Sequence, residues 1–126
     1  MFLVGSDEDL AMSVDADGLH LPERAVAQAR QIRGRHPRWW ITAAAHSVPA
    51  AHKANLCGAD AVLISPVFPT ESHPGAESLG ATRFASMVRK TTSPVYALGG
   101  VTAKNSRQLG GTGAAGIAAI GALDAN

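Results

Sequence analysis

Two successive glycines, Gly99-Gly100, stand between an apolar run, Val95–Leu98, and a segment of helical character that begins at Thr102. Glycines at such a junction let backbone N–H groups approach a phosphate, and a helix N-terminus behind them adds favourable partial charge. Gly121, just after the apolar run Gly116–Ile120, offers a second wall for the same cup, an arrangement common after the last two strands of β/α barrels. The plainer alternative is a pair of tight left-handed turns. His20 and His46 each lie at the end of an apolar run, and histidine exchanges protons near neutral pH. Both are candidates for proton transfer, although a single histidine in such a place is often only a structural donor.

The stretch Ser65-Pro66-Val67-Phe68-Pro69-Thr70-Glu71-Ser72-His73-Pro74-Gly75 is a long proline-rich loop after an apolar run. That is the profile of a loop that covers or contacts substrate, or of an ordinary surface excursion. Gly111-Thr112-Gly113-Ala114-Ala115-Gly116 matches the GxGxxG dinucleotide fingerprint, whose mechanism requires glycines that follow a strand and open a helix. These precede a strand and read as a turn. Asp7, Glu8 and Asp9 suggest a metal cluster, yet at a helix start such acids more often complement the macrodipole. His36 and His52 are expected away from the pocket face and solvated, Cys57 as a small packed hydrophobe, and Trp39-Trp40 as packing residues that open a strand.

The chain that carries these residues has 126 residues, 46% hydrophobic and 17% charged, which suits a single domain over residues 1–126. Eleven Lys+Arg against ten Asp+Glu give a net charge of +1, with no basic face. Nucleic acid is therefore set aside as a partner. One cysteine excludes an internal disulfide and a thiolate metal cluster. No apolar run approaches about 18 residues and no signal-peptide pattern is present, so a cytoplasmic protein without a membrane partner is expected.

Short apolar runs alternate with helical segments. Strands are predicted at Phe2–Val4, Gly18–Leu21, Trp39–Ala43, Ala61–Ile64, Val95–Leu98 and Gly116–Ile120. Helices are predicted at about Asp7–Val14 with Ser6 as N-cap, Pro22–Gly34, Val48–Leu56, Gly80–Lys90 and Thr102–Leu109. A weak internal repeat runs through Asp15-Ala16-Asp17-Gly18, Gly58-Ala59-Asp60-Ala61 and Gly113-Ala114-Ala115-Gly116, each a helix exit, a tight turn and a buried strand. Strands apolar on both faces and separated by helices belong to helix-covered parallel sheets, either a β/α barrel or an open doubly wound sheet. In both, ligands bind at the carboxyl ends of the strands.

Three segments, Asp15-Ala16-Asp17-Gly18-Leu19-His20-Leu21, Gly58 through Thr70 with its Pro66-Val67-Phe68-Pro69-Thr70, and Ala97-Leu98-Gly99-Gly100-Val101-Thr102, together resemble thiamine phosphate synthase and its relative, the TenI thiazole tautomerase. The resemblance runs from about Phe2 to Leu123 and begins at the family's third strand. It implies a TIM-type (β/α) barrel, incomplete, of about six β/α units, lacking the family's first two strands and its last helix. It also implies a role in thiamine biosynthesis with thiazole phosphate as ligand. The family's Asn-Asp after its third strand falls at Gly5-Ser6, a second aspartate at Ala25, a serine at Ala44, and a lysine beyond the proline loop at His73.

Expelling pyrophosphate needs metal and cations to neutralise its charge, and those positions no longer supply them. The resemblance therefore implies a tautomerase-like protein that transfers a proton rather than a competent synthase, with a synthase or a non-catalytic phosphate-binding protein as the alternatives. No metal site is expected, and Mg²⁺ is implied only for a synthase. His46 stands where the tautomerase branch carries a proton-transfer histidine, and His73 replaces a substrate-facing cation. Thr70, Gly99, Gly100, Ile120 and Gly121 match the phosphate cup. With edge strands unpaired, a homo-oligomer is expected.

Overall fold

The computed structural model describes residues 1–119. Six strands form one parallel sheet in the order of the chain: β1 (Leu3–Gly5), β2 (Gly18–Leu21), β3 (Trp40–Ala45), β4 (Ala61–Ile64), β5 (Val95–Ala97) and β6 (Gly116–Ile117). Between them run α1 (Glu8–Ser13), a 3₁₀ turn (Glu23–Gln28) continuing into α2 (Ala29–Arg35), α3 (Val48–Leu56), α4 (Gly80–Arg89) and a second 3₁₀ turn (Ser106–Leu109). Each strand pairs with the next in sequence and none is skipped, the pattern of a β/α barrel and not of a dinucleotide fold, whose strand order reverses. The barrel is not closed: β1 and β6 are both edges among the described residues. No helix among the described residues is long and apolar enough to cross a membrane.

Alternation along the strands sorts the side chains onto two faces. Leu19, Leu21, Ile41, Val62, Ile64 and Val95 face the helices and are buried. Small residues at Ala43, Ala45, Ala51 and Ala54 let α3 approach the sheet closely, and Phe84 of α4 fills the space beside them. The other face is concave and forms a shallow apolar cavity of about 320 Å³. Leu3, His20, Trp40, Thr42, Leu63 and Tyr96 line it. Gly18 is required where β2 meets β3, because a Cβ there would lie 1.8 Å from the Trp40 carbonyl oxygen.

Several local expectations need correction. Asp7, not Ser6, caps α1: its Oδ1 accepts the Leu10 N–H at 2.8 Å, while Ser6 takes the left-handed conformation with φ 60°. The expected second helix opens as a 3₁₀ turn. The helix expected over Thr102–Leu109 is reduced to the Ser106–Leu109 turn, although Thr102 and Asn105 exchange side-chain bonds with each other's N–H at 3.2 and 2.8 Å in the manner of a capping box. His36 is not solvated; it stacks on Trp39 with ring centroids 3.8 Å apart, and its Nε2 meets Glu8 Oε1 at 2.8 Å. His52 is exposed as expected. Trp39 packs against the core, whereas Trp40 lies 46% exposed on the open concave face.

Candidate functional site

His46 follows β3 directly and precedes Ser47, whose side chain caps α3 by accepting the Ala50 N–H. Neighbouring strand exits hold it on both sides. Its backbone N–H donates to Glu23 Oε2 at 2.7 Å, just beyond β2, and its ring Nδ1 lies 2.8 Å from the Ser65 carbonyl oxygen, just beyond β4. The Ser65 hydroxyl is a further 3.4 Å neighbour of the same nitrogen. A carbonyl oxygen only accepts, so the proton of the neutral ring sits on Nδ1 and the lone pair on Nε2. A ring held in that form is suited to take a proton from a ligand.

Gly99 and Gly100 interlock with the proline loop. Val67 N–H donates to Leu98 O and Phe68 N–H to Gly99 O, both at 3.0 Å. Both glycines have positive φ, 93° and 63°. A Cβ on Gly99 would lie 2.8 Å from Pro66 Cα, and one on Gly100 only 2.2 Å from the Pro69 carbonyl oxygen. Tight left-handed turns are therefore present. Neither glycine's N–H finds an acceptor among the described residues, which leaves two amides for a ligand. Because only the short 3₁₀ turn follows, the expected helix dipole does not reinforce them.

A cavity of about 250 Å³ brings together His46, Ser65, Thr70, His73, Gly99 and Gly100. Five of the residues singled out from the sequence thus share one space at the carboxyl ends of β3, β4 and β5. Thr70 Oγ1 accepts the Ser72 N–H at 3.3 Å, and His73 is exposed at the rim. Ile120 and Gly121, the other proposed phosphate wall, lie outside the described residues. His20 does not join this cavity. It lies within β2 on the concave face, its Nδ1 is 2.9 Å from Thr42 Oγ1, and burial holds its pKa below the ordinary histidine value. Ser65 and Glu23 went unnoticed in the sequence because they contact His46 from 19 and 23 residues away. The position of Ser65 at the head of the proline loop was the one available signal.

A second cavity, about 690 Å³, lies on the other side of His46, between Glu23-Arg24 and the start of α3, with Ala44 and Lys53 in its walls. Ala44 and the nearby Ala25 have no oxygen donors, and Gly5-Ser6 carries no carboxylate. Among the described residues no three His, Cys, Asp or Glu side chains converge so as to hold a metal ion.

The thiamine monophosphate synthase family model matches residues 1–123. A putative thiamine-phosphate synthase 2 of Aquifex aeolicus is 37% identical over 120 residues, 95% of this chain and 64% of that protein. The thiamine-phosphate synthase of Chlorobium luteolum is 38% identical over 126 residues, 98% of this chain and 58% of that protein. Among solved structures, the thiamine phosphate pyrophosphorylase from Pyrococcus furiosus superposes with a TM-score of 0.81 at 32% identity, covering 95% of this chain and 56% of that one. The chain thus spans between half and two thirds of the length of these relatives. With a match over nearly all its residues and a shared fold, the chain belongs to the thiamine monophosphate synthase family.

Proposed function

We propose that the protein acts in thiamine biosynthesis by binding a thiazole phosphate in the His46 cavity and moving a proton on it, closer to a tautomerase than to a synthase. The observation that supports this most is His46 itself: its Nδ1 is tied to the Ser65 carbonyl, and its ring lines the same cavity as the Gly99 and Gly100 amides. Phosphate held by backbone N–H groups would place the thiazole beside Nε2. That nitrogen takes a proton from one ring position and returns it at another, so nothing is gained or lost overall. His73 at the rim and the Thr70 hydroxyl supply further contacts to phosphate oxygens. A synthase would have to stabilise departing pyrophosphate, for which Ala25 and Ala44 offer nothing. The small-molecule ligand and a homo-oligomeric assembly are both part of this reading.

The test is His46→Ala with a thiazole phosphate. Loss of a general acid/base lowers kcat by about 10²–10⁴-fold, while affinity for the phosphate ligand stays within a few fold. Unchanged turnover would overturn the catalytic role, and pyrophosphate release from a pyrimidine pyrophosphate would favour the synthase alternative. Equal affinity for the thiazole alcohol and its phosphate would remove the phosphate cup.

A further inference from the structure

We propose that Glu23 is a positioning residue for His46, fixing the histidine backbone so that its ring reaches the Ser65 carbonyl and presents Nε2 to the phosphate cavity. The inference rests on the reading of His46 as the proton-transfer group, but the contact stands on its own geometry. Strand β2 ends at Leu21, two residues before Glu23, whereas β3 continues to Ala45. The backbone ladder therefore stops short of His46. The Glu23 carboxylate replaces the missing acceptor, taking the His46 N–H at 2.7 Å. A bond to an ionised acceptor is roughly twice as strong as a neutral one, and it acts on the residue that joins β3 to the Ser47 cap of α3.

The carboxylate also has little else to do. Glu23 makes no ion pair among the described residues, although Arg24 and Lys53 line the same 690 Å³ cavity. That cavity is open, so removing the carboxylate exposes the His46 amide to water instead of burying it unpaired. The change is therefore expected to spare the fold and to affect chiefly the placement of the ring, and misplacement by about 1 Å can cost about a hundredfold in rate.

The test compares Glu23→Ala and Glu23→Gln in the full chain by two readouts. The first needs no turnover: the hydrogen-exchange rate of the His46 amide and the nitrogen chemical shifts of its ring. Glu23→Ala should speed exchange at least tenfold and turn the single Nδ1–H tautomer into a mixture, and Glu23→Gln, whose amide oxygen still accepts, should restore both. The second is kcat for proton transfer on thiazole phosphate, expected to fall ten- to a hundredfold in Glu23→Ala with KM unchanged. Wild-type exchange and tautomer signals in Glu23→Ala would overturn the proposal. Altered signals in Glu23→Ala, together with a His46→Ala protein that still turns over, would keep the positioning role and refute the catalytic one.

Discussion

Asp60 and Ile41 are joined by two hydrogen bonds at once: the Asp60 N–H donates to the Ile41 carbonyl at 2.7 Å, and Asp60 Oδ2 accepts the Ile41 N–H at 2.8 Å. Asp17 makes the same ring with Phe2, at 2.8 and 2.6 Å. The third copy of the repeat has Ala115 in this place, and only the backbone half survives, Ala115 N–H to Val95 O at 2.7 Å. The aspartate therefore extends each parallel ladder by one bond at the entry to a strand.

Asp60 additionally binds Arg33, which reaches the Trp39 carbonyl with its other nitrogen, whereas Asp17 meets only the chain's amino group at 3.8 Å. Asp60→Ala is therefore expected to cost about 2 kcal/mol and Asp17→Ala about 1 kcal/mol, the range for bonds to charged acceptors and for exposed ones. Urea denaturation of the two variants checks the order. Equal losses would show that the Arg33 bridge adds nothing.

The repeat that holds these aspartates was legible in the sequence, and so were β2, β4 and α3, whose limits match residue for residue. Their signals are local: apolar runs that follow Asp-Ala-Asp before β2 and Gly-Ala-Asp before β4, and a Ser-Val-Pro start for α3. What the sequence did not disclose depends either on which of several competing local bonds forms or on partners far along the chain. Ser6 has the right residue type for a cap, but only the sharp turn after β1 decides that Asp7 makes the bond. Thr102–Leu109 has helical composition, yet only its last four residues form a 3₁₀ turn, while Asn105 Nδ2 reaches the Gly100 carbonyl at 2.8 Å. In the same way His46 was visible as a candidate, whereas the carbonyl and carboxylate that orient it were not.

Gly100 and Gly58 separate two costs that a glycine position can carry. Both have positive φ, but a Cβ on Gly58 meets nothing within 4 Å, whereas on Gly100 it would collide with the Pro69 and Phe68 carbonyl groups. Gly58→Ala is expected to cost about 1 kcal/mol, the strain alone. Gly100→Ala adds the displacement of the proline loop, for about 3 kcal/mol in all, and weakens phosphate binding as well. Thermal unfolding of both, with a titration of inorganic phosphate, measures the difference. A Gly100→Ala protein as stable as Gly58→Ala would mean that the loop yields freely.

Glu8 links α1 to the end of α2. Its bond to Arg35 at 2.7 Å is the largest influence on its carboxyl, which with the contact to His36 is pulled down from 4.5 to about 2 in spite of burial. A lowered carboxylate pKa means that the unfolded chain binds the proton more readily. The stabilisation is therefore complete above about pH 4.5 and is lost as pH falls through 2. Glu8→Gln should lower Tm by about 4 °C at pH 7, allowing for the solvent screening of a partly exposed pair. Near pH 2 the two proteins should melt together. A Tm difference that persists unchanged at pH 2 would show that packing, not charge, is responsible.

The concave face of the sheet predicts how this 126-residue chain behaves on its own. Phe2 and Ile117, on the opposite face beside the edges at β1 and β6 among the described residues, expose 56% and 51% of their surface, and on the concave face Met1 and Trp40 expose 81% and 46%. A complete barrel stacks such inward side chains in layers, so here they lack partners on one side. Unpaired edge groups and an uncovered apolar face both favour association. At micromolar concentration the chain should therefore sediment as a dimer or larger. Covering the exposed part of Trp40 stabilises contact by about 1–2 kcal/mol, so Trp40→Gln should weaken association roughly tenfold. The helix-facing core, to which Trp40 does not contribute, should be left intact. A wild-type chain that sediments as a monomer and unfolds cooperatively would show that the concave face is stable in water without a partner.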